Sequence, residues 1–133
     1  MRQIHKAAAL IFKEKKLLIV RPKGKNYWIH PGGKYEGKET AEECLKRELV
    51  EELQVKLRSF SHYKTYHCQH AAEDNIRPLL LELYLVEIDG VPKPSQEIAE
   101  LGWLGTQEIK QKTFNLNHNF PEQIHDLIED KLL

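Results

Sequence analysis

Three acidic side chains in the run Arg47-Glu48-Leu49-Val50-Glu51-Glu52 have the type and spacing to hold a divalent cation. At about 100° per residue, Ala41, Cys44, Leu45 and Leu49 draw an apolar stripe along a helix over 41–53. Glu48 and Glu52 fall inside that stripe, and Glu51 lies at its edge. Like charges one turn apart, turned toward a core, weaken a helix and resist ionisation. A hard divalent cation, which prefers oxygen ligands, removes both penalties. The competing reading is a charged, solvated helix. The opposite face supports only that reading, with Glu42 over Lys46 and Glu43 over Arg47 as ordinary i,i+4 pairs.

The flanking residues extend the pattern. From Gly33 to Val55 the chain reads GKYEGKETAEECLKRELVEELQV. This stretch resembles the catalytic box of the Nudix hydrolases, with Gly33, Glu39, Arg47, Glu48, Leu49, Glu51, Glu52 and Val55 at the family's spacing. Gln54 departs, standing where the family has glycine. That position closes the helix, where a left-handed backbone costs a side-chain-bearing residue about 1 kcal/mol.

The resemblance implies an α/β fold, a Nudix-type α/β/α sandwich with a mixed β-sheet between helices, forming one domain over 1–133. It also implies Mg²⁺ or Mn²⁺ as cofactor. Glu48 and Glu52 would then be the main ligands, with the Gly33 carbonyl as a further oxygen. Glu51 would be another ligand or a base, Arg47 would orient the carboxylates, and Glu39 would support the loop. The implied reaction is hydrolysis of a nucleoside diphosphate linked to a second group, by attack of water at phosphorus.

More matches lie outside the box. Trp28, Pro31, Gly32, Gly33 and Lys34 resemble the W-x-x-P-G-G-K lead-in of nucleotide-sanitising members, which places Trp28 and Lys34 among the substrate-binding candidates. His30 reads either as a substrate contact or as a solvated loop histidine. Arg21 reads either as a phosphate-binding arginine or as an exposed strand end. Asn115, Asn117 and Asn119 occupy a region where some relatives read purines, and Asn119 also fits a helix cap. The stretch 92–97 resembles a late loop that supplies one more acid, catalytic and metal-binding. Glu97 is the first choice for it and Glu100 the competitor.

The expected substrate is a nucleoside triphosphate, such as the oxidised 8-oxo-dGTP, cleaved to the monophosphate and pyrophosphate. ADP-ribose or a dinucleotide is the second enzymatic reading, and a non-catalytic nucleotide sensor the third. His62, His67, Cys68 and His70 have irregular spacing and split between strand faces, which argues against a zinc site.

These residues need a frame. Ile4 to Phe12 and Leu17 to Val20 read as a hairpin, 55–68 and 76–88 as strands, and Trp103-Leu104 as the start of a short strand. Thr40 caps the middle helix in a capping box with Glu43. A last helix follows Pro121, with Ile124, Leu127, Ile128 and Leu132 at helical spacing.

At 133 residues, with 41% hydrophobic and 30% charged side chains, the chain can bury a core of its own. Twenty basic residues balance twenty acidic ones, so a long nucleic acid is not the expected partner, whereas a small nucleotide needs only local cations. No run reaches the roughly 20 apolar residues of a membrane span. Two cysteines make no disulfide framework, and the expected compartment is the reducing cytoplasm. Monomer and homodimer are both open.

Overall fold

The structure, a computed structural model, describes residues 2–133. Its strands are β1 (Ile4–Leu10), β2 (Phe12–Lys13), β3 (Lys16–Pro22), β4 (Gly32–Lys34), β5 (Lys56–Cys68), β6 (Leu79–Asp89) and β7 (Ile98–Leu104). The helices are α1 (Ala41–Leu53), α2 (Thr106–Gln111) and α3 (Phe120–Glu129). A mixed sheet has the order β4-β1-β6-β5, in which β1 and β6 run parallel. A second, antiparallel sheet has the order β2-β3-β7.

Strands buried on both faces must be apolar at nearly every position, and this holds for β1 from Ala7 to Leu10 and for β6 from Leu79 to Val86 apart from Glu82. On one side of the mixed sheet, Ile4, Ala8, Leu10, Leu79, Leu81 and Leu83 pack with Phe120 and Leu127 of α3. On the other, Ala7, Ala9, Tyr84 and Val86 pack with Cys44, Leu45, Leu49 and Leu53 of α1. Burying each of these leucines contributes about 1.5–3 kcal/mol. The second sheet feeds both cores, with Leu17 and Ile19 on the α3 side and Leu18 and Val20 on the α1 side. The arrangement is the expected α/β architecture with helices on both faces, and the three-stranded sheet adds to it.

Helix α1 runs over the residues its periodicity predicts. Thr40 Oγ1 accepts from the Glu43 amide at 3.2 Å, and the Glu43 carboxylate accepts from the Thr40 amide at 2.9 Å. Gln54 closes the helix in the left-handed region at φ 56°.

Four expectations are corrected. The N-terminal strands form no extended hairpin: the Glu14-Lys15 turn joins only β2 to β3, while β1 crosses to the other sheet to pair with β4 and β6. Trp103-Leu104 ends β7 rather than starting a strand. The i,i+4 pair of Glu43 with Arg47 is not formed among the described residues, because the Glu43 carboxylate is spent on the cap and Arg47 turns to Glu39. Asn119 makes no side-chain cap to α3; its amide donates to the His70 carbonyl at 3.1 Å, and Asn117 Oδ1 accepts from the Asn119 backbone at 2.9 Å.

Candidate functional site

The site forms where α1 crosses β4. Gly33 pairs with Ala7 across the sheet, and the Gly32 amide donates to Glu52 Oε1 at 2.9 Å. A β-carbon on Gly33 would lie 2.4 Å from Glu48 Oε1, so the bare glycine is what lets that carboxylate reach the strand. Gly32 sits at φ +140°, and a β-carbon there would meet the Ala7 carbonyl at 2.3 Å.

Arg47 organises the helix side. Its Nε and Nη2 donate to the two oxygens of Glu39 at 2.7 and 2.8 Å, a bidentate pair. Nη2 also reaches the Lys34 carbonyl at 3.0 Å, and Nη1 donates to Glu48 Oε1 at 2.7 Å. Glu51 lies 3.5 Å from Nη1 with a side chain 40% exposed. Arg47 therefore ties the loop after β4 to the helix and fixes the aim of Glu48.

The electrostatics follow from burial. Glu52 is pushed up to about 8, chiefly by desolvation and partly by the Glu48 charge, against the lowering pull of the Gly32 amide. Burial also raises Glu48, opposed by Arg47. The Arg47 guanidinium holds Glu39 down at about 2. Two carboxylates that resist ionisation, one turn apart on α1 and both set against the Gly32-Gly33 backbone, are a donor set that a divalent cation would satisfy. Glu48, Glu52 and the Gly33 carbonyl are the oxygens that would hold it. That carbonyl faces α1, 3.6 Å from Cys44 Sγ. Among the described residues no three acidic, histidine or cysteine side chains already stand grouped as a cage.

Behind the glycines lies a cleft with about 460 Å³ of empty space, part of it open solvent, on the α3 side of the mixed sheet. Gly32, Gly33, His30, Asn117, Asn119 and Gln123 line it, over a floor that includes Ala8, Leu79 and Leu81. His30 is buried, not solvated: its Nε2 is 2.6 Å from Gln123 Oε1, and its ring stacks on Phe120 at 4.4 Å. Desolvation lowers it to about 4, so it is neutral at physiological pH.

The remaining candidates stand apart from this cleft. Trp28 is a core residue, edge-on to Phe114 at 4.8 Å. Arg21 is engaged by Glu100 at 2.6 Å and by the Lys25 carbonyl at 2.9 Å. Lys34 pairs with Glu73 at 2.9 Å, and Glu73 also holds Lys6 at 2.6 Å, beside the cleft. Glu97 is exposed, on a loop tied to the end of α1 by the Ser95 amide donating to the Glu52 carbonyl at 3.0 Å.

Gln123, Lys6 and Glu73 went unread in the sequence. Gln123 did carry a signal, as a polar residue between Phe120 and Leu127 on an apolar helical stripe. Lys6 and Glu73 meet only through the fold.

Comparison with known proteins gives a consistent picture. The NUDIX domain family model matches residues 3–125. No curated protein matches the chain. Among solved structures, the Escherichia coli ORF135 protein is 26% identical, with a TM-score of 0.73 over 96% of this chain and 91% of that one. A structure from a study of MutT from Aliivibrio salmonicida and Vibrio cholerae is 23% identical, with a TM-score of 0.75 over 97% and 99%. The MutT protein from Methanosarcina mazei is 20% identical, with a TM-score of 0.79 over 97% and 95%. The last two likenesses speak to fold alone.

Proposed function

The chain belongs to the NUDIX domain family, and from that premise we propose that it is a one-domain, divalent-metal-dependent pyrophosphohydrolase of nucleoside triphosphates, releasing the monophosphate and pyrophosphate. That it is a hydrolase of pyrophosphate bonds follows from the family; the substrate and the residue roles are the proposal. One observation carries it: Glu48 and Glu52, raised by burial, converge on the Gly32-Gly33 backbone under the Arg47 clamp.

When bound, Mg²⁺ or Mn²⁺ supplies positive charge against the phosphate oxygens. Glu48 and Glu52 hold it, and Gly33 offers its carbonyl. Arg47 keeps Glu48 in its rotamer, and Glu39 keeps Arg47 in place. Glu51, partly exposed beside them, accepts the proton of the attacking water. Glu97 enters from the loop pinned to the end of α1. The cleft behind Gly33 takes the nucleoside, with an oxidised purine such as 8-oxo-guanine as the leading base and Asn119 on its wall. Arg21 and Lys34 stand ready for phosphates once they leave Glu100 and Glu73.

The test is pyrophosphate release with Mg²⁺ or Mn²⁺ over nucleoside triphosphates, nucleotide sugars, ADP-ribose and dinucleoside polyphosphates. At least one triphosphate is expected to turn over. Glu52→Gln is expected to lose more than about 100-fold, beyond the cost of removing an outer partner of a metal ligand. Turnover of ADP-ribose or a dinucleotide without any triphosphate overturns the substrate. A wild type without metal-dependent turnover, matched by Glu52→Gln, overturns the enzymatic role in favour of a sensor.

A further inference from the structure

Two lysines stand directly opposite each other at the edge of the mixed sheet. Lys6 of β1 pairs in register with Lys34 of β4, so both side chains leave the same face of the sheet. Like charges placed this way weaken a strand pair unless an anion lies between them. Glu73 supplies that anion from the loop between β5 and β6. Its Oε1 is 2.6 Å from Lys6 Nζ, and its Oε2 is 2.9 Å from Lys34 Nζ. Burial pushes the Glu73 carboxyl up, but the two ammonium groups outweigh it and hold the group below its ordinary range. Glu73 is therefore an anion at neutral pH.

This contact is made beside the cleft. Lys6 lines the cleft together with Gly32, Gly33 and Ala72, the residue before Glu73. Burial raises Glu52, and the Lys6 ammonium is close enough to pull it part of the way back. The loop itself keeps its own shape. Ala71 at its base is fully buried, and its amide donates to the Arg77 carbonyl at 2.8 Å. The Asn75 amide donates to the Ala71 carbonyl at 2.8 Å, and Asp74 accepts from the Ile76 and Arg77 amides and from the Arg77 guanidinium. All of these bonds close within the loop. Among the described residues, the two ion pairs of Glu73 are the only polar ties from 72–76 to the sheet.

We propose that Lys6 and Lys34 form a phosphate subsite that Glu73 occupies in the free protein, and that a phosphate group of the ligand displaces Glu73 and frees segment 72–76. This rests on the phosphate-binding role proposed for Lys34, and adds Lys6 as a second cation and Glu73 as the internal competitor. A phosphate group carries more charge than a carboxylate and has three acceptor oxygens, so it satisfies both lysines at once. While Glu73 is in place, apparent affinity is lowered in proportion to the fraction of molecules whose subsite is open.

The experiment reads binding without turnover. Full-length protein in Mg²⁺ is titrated by calorimetry with inorganic pyrophosphate, with dGMP and with uncharged deoxyguanosine. Glu73→Gln is expected to bind a phosphate-bearing ligand about fivefold more tightly than the wild type does, with deoxyguanosine unchanged. Which of the two ligands gains tells which phosphates of a nucleotide the subsite takes. Lys6→Met is expected to weaken the same ligand and to cancel the gain when combined with Glu73→Gln. In the ¹⁵N-labelled wild type, the amide resonances of 72–76 are expected to shift as pyrophosphate or dGMP saturates the protein. A tie that is only structural would weaken all three ligands in Glu73→Gln. That result overturns the proposal, as does unchanged binding of both phosphate-bearing ligands. Fixed 72–76 resonances in the wild type overturn it too, and that spectrum decides the matter if the variant does not fold. Turnover without a gain in Glu73→Gln sinks this inference alone; a gain without turnover sinks only the reaction.

Discussion

Glu52 shows how a single side chain ties chemistry to stability. Burial raises its folded pKa to about 8, above its value in an unfolded chain. The folded, metal-free protein therefore holds this proton more tightly, and the resulting stability is full in acid and lost as pH rises through about 8. In chelator, the wild type is expected to lose a few kcal/mol relative to Glu52→Gln between pH 5 and 8. Parallel melting profiles for the two proteins would contradict this. Glu39 has the opposite sign: held at about 2 by Arg47, it stabilises above the ordinary carboxylate range and loses that effect as pH falls toward 2. The misplaced carboxylates were legible because a helical wheel needs only local sequence. The commitment of Arg47 to Glu39 rather than Glu43 was not, because it depends on the loop between β4 and α1 folding back.

At the scale of elements, the turn after α1 is the place to intervene. Gln54 sits at φ 56° and returns only a 3.3 Å side-chain contact with Ser95. Gln54→Gly is expected to raise Tm by about 2–4 °C, the equivalent of roughly 1 kcal/mol; a fall in Tm would show that the Ser95 contact outweighs the backbone strain. The two glycines of β4 are expected to separate. Gly33→Ala presses on the flexible end of Glu48, so the protein should fold and lose activity. Gly32→Ala presses on the Ala7 carbonyl of a central strand at φ +140° and should fail to fold. Soluble yield and turnover of the two variants check this. Helix bounds were readable because cap and period coincide at Thr40 and Ala41. The true partner of β1 was hidden, since a turn at Glu14-Lys15 says which strands are close in sequence and not which sheet each enters. Helix α2 was missed because its six residues have no buried position to set a period.

Across the whole molecule, the late loop and the second sheet hold the two candidate acids in different settings. Lys93 and Ser95 donate to the carbonyls of Leu53 and Glu52 at 3.0 Å, which anchors the loop carrying Glu97 to the end of α1. Glu100 lies opposite Arg21 on the paired strand and is bound to it. Glu97→Gln is therefore expected to lower kcat with folding intact, whereas Glu100→Gln should act mainly on KM by freeing Arg21. The reverse pattern in steady-state kinetics would exchange the roles. Sequence alone could not separate the two, because the strand that begins between them at Ile98 was expected to start only at Trp103.

The same helix that presents Glu48 and Glu52 also walls off one entire core through Cys44, Leu45, Leu49 and Leu53. On the proposed role, cation occupancy and resistance to unfolding are then one equilibrium, in which each tenfold excess of free cation over its dissociation constant adds about 1.4 kcal/mol. Chelators become mild denaturants of this protein, and its lifetime against proteases becomes a readout of available magnesium.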